Sequence, residues 1–172
     1  MPELIPVLDQ DTIARKVADV ARQISSDYQH AELVLIGVLK GAFVFMADLI
    51  RQLNLSEVVV DFVQLASYGS KSKSSGAISL LKDLTVDIRD KDVLICEDIL
   101  DTGITMDFLY KHLLASKPRT IKICTLIDKR ERREIQVEAD YVCHNAEGFL
   151  VGYGLDYAEI YRNLPGIYQL NS

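Results

Sequence analysis

The chain has 172 residues, 49% of them hydrophobic and 26% charged, with a formal net charge of −6. That length predicts one domain with a sizeable core, and the acidic balance argues against a general nucleic-acid binder, which needs a basic surface. No apolar run approaches the roughly 18 residues of a membrane span, and "MPELIPVLDQD" lacks the basic, apolar and small-residue regions of a signal peptide.

In chain order, Ile13, Val17, Val20, Ala21 and Ile24 keep helical spacing, with Asp11 or Thr12 as the expected N-cap. "ELVLIGVL" (32–39) is a continuous apolar run of strand length, and "GAFVFMADLIRQL" (41–53) returns to helical period through Phe43, Met46, Leu49, Ile50 and Leu53. "EVVVDFVQL" (57–65) is β-branched and predicts a strand. The next stretch, "ASYGSKSKSSGA" (66–77), holds five serines, two glycines and two lysines. It has too few apolar side chains to bury itself, so it reads as a surface loop or as a lid over a charged ligand. "DVLICEDIL" (92–100) is a buried strand, 105–115 a helix through Phe108, Leu109, His112 and Leu113, "TIKICTLID" (120–128) a strand, and "DYVCHN" (140–145) a further one. Strands alternating with helices imply an α/β fold with a Rossmann-like, doubly wound, mainly parallel sheet. In such a sheet, ligands gather at the C-terminal ends of the strands. The polar motifs do fall there, after Leu39, Cys96 and Ile127. Cys96, Cys124 and Cys143 are odd in number, form no CxxC pair and lie in apolar stretches, which predicts reduced core thiols and a cytoplasmic setting. His30, His112 and His144 lack metal-ligand spacing.

The chemistry concentrates in "CEDILDTGIT", Cys96 to Thr105. "DTGIT" opens a predicted helix, where unpaired N–H groups and the helix dipole favour an anion. Gly103 permits close approach, and Thr102 and Thr105 add hydroxyls, so the turn reads as a phosphate cradle. It is neither a Walker A loop nor a dinucleotide fingerprint, since GxxxxGK[ST] and GxGxxG are both absent. Glu97 and Asp98 carry like charges at a strand end, which calls for a partner such as Mg2+ or ribose hydroxyls. Asp101 reads locally either as a helix N-cap or as a proton acceptor.

"VLICEDILDTGIT" (93–105) resembles the phosphoribosyl-pyrophosphate motif of the type I phosphoribosyltransferases. From about residue 30 onward the likeness narrows. "LKGA" (39–42) is similar to the first pyrophosphate loop of hypoxanthine-guanine phosphoribosyltransferases, "SYG" (67–69) to their lid, "DK" (128–129) to their base-contacting lysine, and "FLVGYGLDYAEIYRNLP" (149–165) to their C-terminal signature. The resemblance implies one phosphoribosyltransferase domain, with a small hood from about 1–10 and 145–172 and a flexible lid over 66–78 that carries Ser67 and Tyr68. It implies purine salvage: phosphoribosyl pyrophosphate plus a 6-oxopurine, hypoxanthine or guanine, gives IMP or GMP and pyrophosphate. Xanthine preference, or a nucleic-acid-binding regulator of the same fold, are the competing readings. A Mg2+ cofactor, a homodimer or homotetramer and a cytoplasmic enzyme touching neither nucleic acid nor membrane are implied as well.

Residue by residue, the resemblance implies that Asp101 is the catalytic base. Glu97, Asp98, Asp101, Thr102, Gly103, Ile104 and Thr105 would bind the ribose phosphate. Lys129, Phe149, Leu150 and Asp156 would bind the purine, Leu39, Lys40, Gly41 and Arg162 the pyrophosphate, and Glu97, Asp98 and Asp156 the metal. It also implies a strained Leu39–Lys40 peptide whose N–H groups face pyrophosphate. Ile104 departs from the family pattern, where a lysine or another polar residue is common, so only its backbone N–H is expected to serve phosphate. On local grounds alone Lys40 and Lys129 read as solvated strand ends, Phe149 and Leu150 as core, Asp156 as a loop cap, Arg162 as a surface arginine, and "DKRERREI" (128–135) as a solvated face or subunit contact.

Overall fold

Period-two alternation along Leu33–Leu39, strand β2, sets the architecture. Leu33 and Leu35 enter one core cluster, Val34, Ile36 and Val38 the other. A strand buried on both faces needs cover on both, and helices provide it. Helices α1 (Gln10–Asp27) and α2 (Phe43–Gln52) cover the first face through Ile13, Val17, Ile24, Phe45 and Leu49. Helix α3 (Ile104–Leu114) covers the second through Met106, Leu109 and Leu113.

The computed structural model describes residues 2–68 and 77–171. Its central sheet has six strands in the order β4-β3-β2-β5-β6-β7. Here β3 is Val58–Tyr68, β4 Ala77–Lys82, β5 Asp92–Leu100, β6 Thr120–Asp128 and β7 Tyr141–Asn145. All neighbours pair in parallel except the edge pair β3–β4. The doubly wound, mainly parallel sheet is thus as expected, and the order places β2 and β5 side by side at its centre, where Gly37 registers with Cys96. A second sheet, β1-β9-β8, joins the two ends of the chain: β1 (Glu3–Leu8) and β8 (Leu150–Val151) both pair antiparallel with β9 (Ile167–Asn171).

Three local expectations are corrected. Helix α1 is capped by Asp9, whose Oδ1 accepts the Thr12 N–H at 2.7 Å, and not by Asp11 or Thr12. An aspartate one turn earlier reaches the same unpaired donors, so the helix starts sooner. The strand expected over 57–65 runs on to Tyr68, because Ala66, Ser67 and Tyr68 find partners in β4. The N-cap of α3 is Gly103 at φ 87°, with no side-chain cap bond, so Asp101 is not a capping residue. Of the lid expected over 66–78, residues 69–76 lie outside the described residues, while Ser67 and Tyr68 end β3. The three cysteines are buried and free, and burial pushes the Cys143 thiol up to about 12.

Candidate active site

The C-terminal ends of β2, β5 and β6 bring the singled-out residues together. At the end of β5, Glu97 is buried and its Oε1 accepts the Asp98 N–H at 3.0 Å. Burial, and after it the charge of Asp98, pushes the Glu97 carboxyl well above the ordinary carboxylate range. The loop after β2 presses on the same pair. A Cβ at Gly41 would fall 1.8 Å from Asp98 Oδ2, so only glycine fits there. The Leu39–Lys40 peptide that leads into this loop is cis. Leu39, Gly41, Glu97, Asp98 and the turn from Asp101 line one cavity of about 250 Å3.

The turn itself is short and tight. Gly103 holds a left-handed φ that a side chain would strain, and a Cβ there would lie 2.6 Å from the Ile135 carbonyl oxygen. Thr102 Oγ1 accepts the Ile104 N–H at 3.3 Å, so in this arrangement that amide faces the threonine hydroxyl. Asp101 Oδ2 accepts from Arg132 Nη1 at 3.3 Å, while its Oδ1 is buried with no hydrogen-bond partner among the described residues. An unpartnered buried acceptor is costly and marks a place completed by something else.

At the end of β6, Lys129 is 6% exposed, which corrects the local reading of a solvated lysine. Its N–H donates to the Leu100 carbonyl at 2.9 Å, locking the end of β6 to the end of β5. Phe149 is 51% exposed and meets Tyr157 edge-on at 5.8 Å, so it is not the core residue that composition implies. Leu150, next in the chain, is buried in β8 as expected.

Beyond β8 the backbone becomes irregular. Tyr153, Ala158, Glu159 and Tyr161 all take positive φ between 50° and 78°. Each such non-glycine residue costs on the order of 1–2 kcal/mol, and strain of this kind collects at functional sites. The winding brings Arg162 inward, with a side chain only 18% exposed. Its Nη1 donates to the Gly154 carbonyl at 2.8 Å, and its Nη2 stands 3.1 Å from Asp156 Oδ1 and 3.2 Å from Glu159 Oε1. Asp156 also behaves as the local cap that its sequence predicts, accepting the Glu159 N–H at 2.9 Å. The other oxygen of Glu159 meets Lys40 Nζ at 2.9 Å, and that bond, foremost, holds the Glu159 carboxyl below its usual range. Lys40, Arg162 and Asp156 therefore converge. A larger cavity, about 640 Å3, lies on the other side of Arg162, between α1 and α2.

The Phosphoribosyl transferase domain model matches residues 6–158 of this chain. The hypoxanthine-guanine phosphoribosyltransferase of Aquifex aeolicus is 46% identical over 166 residues, 95% of this chain and 93% of that protein. The chain belongs to the hypoxanthine-guanine phosphoribosyltransferase family. Solved structures agree. A hypoxanthine-guanine phosphoribosyltransferase of Bacillus anthracis, crystallised with HEPES in its active site, superposes with a TM-score of 0.92 at 44% identity, covering 98% of this chain and 99% of that one. A hypoxanthine phosphoribosyltransferase of Staphylococcus aureus gives a TM-score of 0.92 at 41% identity, over 96% and 90% of the two chains.

Three residues packed around the candidate site escape a reading of the sequence. Arg133, in the charged run taken for a solvated face, has a side chain only 8% exposed. It donates to Asp101 O at 2.8 Å, Lys129 O at 3.0 Å, Val137 O at 2.6 Å and Asp128 Oδ1 at 2.5 Å, and so fixes the turn after β5 against the end of β6. Its only sequence signal is the buried Asp128 five positions before it, which needs a cation. Glu159 and Glu131, described below, carry no signal beyond their charge. Among the described residues no group of three or more His, Cys, Asp or Glu side chains converges as a metal cage, and no helix is long and apolar enough to cross a membrane.

Proposed function

We propose that this phosphoribosyltransferase moves the 5-phosphoribosyl group from phosphoribosyl pyrophosphate to N9 of hypoxanthine or guanine, giving IMP or GMP and pyrophosphate. The observation that carries the proposal is Asp101, which lines the cavity with Glu97 and Asp98 and whose Oδ1 has no hydrogen-bond partner among the described residues. An acceptor in that place is available to a proton on the base.

The roles follow from position. The backbone from Asp101 to Thr105 receives the 5′-phosphate at the start of α3. Lys129 donates to the 6-oxo group, and a base with an amine there would leave that buried donor unpaired, which discriminates sharply against adenine. Phe149 has a free face for stacking, and the backbone of Leu150 and Asp156 meets the base edge. As N9 forms its bond to C1′, the bond from C1′ to pyrophosphate breaks and its electron pair leaves with the pyrophosphate. Asp101 takes the N7 proton, and Lys40 and Arg162 meet the departing charge. The donor set fits Mg2+, which binds through one or two carboxylates plus substrate phosphates and not through an all-protein cage. Glu97 and Asp98, packed together with an elevated carboxyl, would hold it on the ribose side and Asp156 on the pyrophosphate side. Bound there, it would neutralise negative charge on the substrate.

The three-stranded sheet from the chain ends serves as the hood over the base. Assembly as a homodimer or homotetramer is supported by Phe43, 45% exposed beside the cavity of α1 and α2. A cytoplasmic setting is supported by the three free cysteines. The direct test is a spectrophotometric assay with phosphoribosyl pyrophosphate, Mg2+ and hypoxanthine, guanine, xanthine or adenine in turn. Turnover of hypoxanthine or guanine with little of adenine is expected. Faster turnover of xanthine than of both would overturn the assignment of the base.

A further inference from the structure

The base side of the site holds one carboxylate that the proposed chemistry does not use. Glu131 stands two residues after Lys129, beyond the end of β6. Its Oε1 accepts the Gly148 N–H at 3.0 Å and lies 3.7 Å from Lys129 Nζ. Gly148 immediately precedes Phe149, and the Phe149 carbonyl is in turn held by the Leu170 N–H of β9 at 2.8 Å. One oxygen atom therefore touches both the segment that carries the edge donor and the segment that carries the exposed ring.

The charge of Glu131 is as informative as its place. The side chain of Lys129 is only 8% exposed, and an ammonium that far from water needs a counter-charge. Among the described residues Glu131 is the only acid within ion-pair distance of it. The neighbouring Asp128 is taken by Arg130 and Arg133. The Gly148 N–H, foremost, holds the Glu131 carboxyl below its usual range, whereas Glu147 is pushed up, first by burial and then by its bond with Glu131. Of the two neighbouring glutamates, Glu131 is thus the one whose surroundings favour the charged form, and it is the one that faces Lys129.

We propose that Glu131 is a positioning residue for the purine: by binding Lys129 and Gly148 at once, it sets the gap between the donor at the 6-oxo edge and the ring over the face of the base. The proposal rests on the reading that Lys129 and Phe149 contact the base. Glu131 has no contact with the turn after β5 or with Lys40 and Arg162, so its removal is felt by one substrate and not by the other.

The test is steady-state kinetics of Glu131→Ala, Glu131→Gln, Lys129→Ala and the double variant, with thermal unfolding of each. Glu131→Ala is expected to raise KM for hypoxanthine and guanine about 5- to 20-fold, the loss of one charge-assisted contact. KM for phosphoribosyl pyrophosphate and kcat should stay within about twofold. Glu131→Gln, which keeps an acceptor for Gly148 and loses the charge facing Lys129, should fall between Glu131→Ala and the unchanged protein. In the double variant the rise should be smaller than the product of the single effects, as for two groups in contact. A raised purine KM in Lys129→Ala with an unchanged one in Glu131→Ala would overturn the role of Glu131 alone. Equal rises in both substrates' KM with a lowered midpoint would overturn it in favour of a general structural role. An unchanged purine KM in Lys129→Ala would overturn the base-contact reading, and the positioning role with it.

Discussion

The two ends of the central sheet treat polar groups in opposite ways. At the N-terminal end of β5, Asp92 is nearly buried and fully engaged. It accepts from Arg119 Nε at 3.1 Å, Arg119 Nη2 at 2.6 Å and Thr120 Oγ1 at 2.7 Å. Nearby, the Tyr141 hydroxyl donates to Asp27 at 2.5 Å, leaving the Tyr28 hydroxyl as the one buried polar atom without a partner there among the described residues. At the C-terminal end of the same strand, Glu97 and Asp98 pack together with the Glu97 carboxyl pushed up, and among the described residues neither Asp101 Oδ1 nor, close by, Arg162 Nε has a hydrogen-bond partner. At the first end the buried charge of Asp92 is fully answered by the protein's own donors and serves the fold. The second leaves like charges together and polar atoms unanswered by the protein's own described groups, so it holds charge at some expense to stability.

Substitutions at the two ends should therefore separate activity from stability. The largest effect is expected at Asp101. Asp101→Asn should lower kcat by about 10²–10⁴, the usual worth of a positioned general base, with little change in thermal midpoint. Near-normal kcat at the pH optimum would sink the base assignment. The mirror experiment is Asp92→Ala, expected to cost about 2 kcal/mol in denaturant unfolding while kcat per folded molecule holds. The Arg119 hydrogen bond, foremost, holds the Asp92 carboxyl below its usual range. A depressed carboxyl contributes fully above the unfolded value of about 4 and loses that contribution as pH falls through the folded value. The gap between the two proteins should accordingly close in acid.

Glu97→Gln sharpens the comparison from the other side. Removing a buried like charge should raise the stability of the ligand-free protein by about 1 kcal/mol at neutral pH, and lower turnover at fixed Mg2+. Equal destabilisation of Glu97→Gln and Asp92→Ala would erase the distinction between the two ends. The smallest effect is expected at Glu159, whose carboxylate lies between Lys40 and Arg162. Glu159→Gln should lower KM for phosphoribosyl pyrophosphate by about two- to fivefold, in keeping with the modest strength of exposed ion pairs. A raised KM would show instead that Glu159 orients Arg162.

Much of the central sheet was legible because its signals are local. Continuous apolar runs marked β2, β5 and β6, and the acids and glycine after Ile95 marked the site's centre. The strands β1, β8 and β9 left no such trace. Leu150–Val151 is only two residues long, and Glu3–Leu8 contains a proline and finds its partner far away in sequence, at Ile167–Asn171. Pairing at that separation imposes no local period. The side chains misread were those whose state depends on a distant neighbour. Lys129 is buried because the end of β6 is locked to Leu100, Arg133 is buried because the carbonyls of Leu100, Asp101, Lys129 and Val137 surround it, and Phe149 is exposed because β8 takes up Leu150 in its place.

The pairing of β1 with β9 also orders events in time. Glu3 registers with Asn171, so β1 waits for its partner until β9 has left the ribosome. All six strands of the central sheet and the turn after β5 precede Phe149, and a nascent chain can begin to pair them early. The segment carrying Phe149 is anchored through Leu170, so it can settle only once β9 has been made. A growing chain therefore holds every strand of its central sheet before it can fix the segment that carries Phe149.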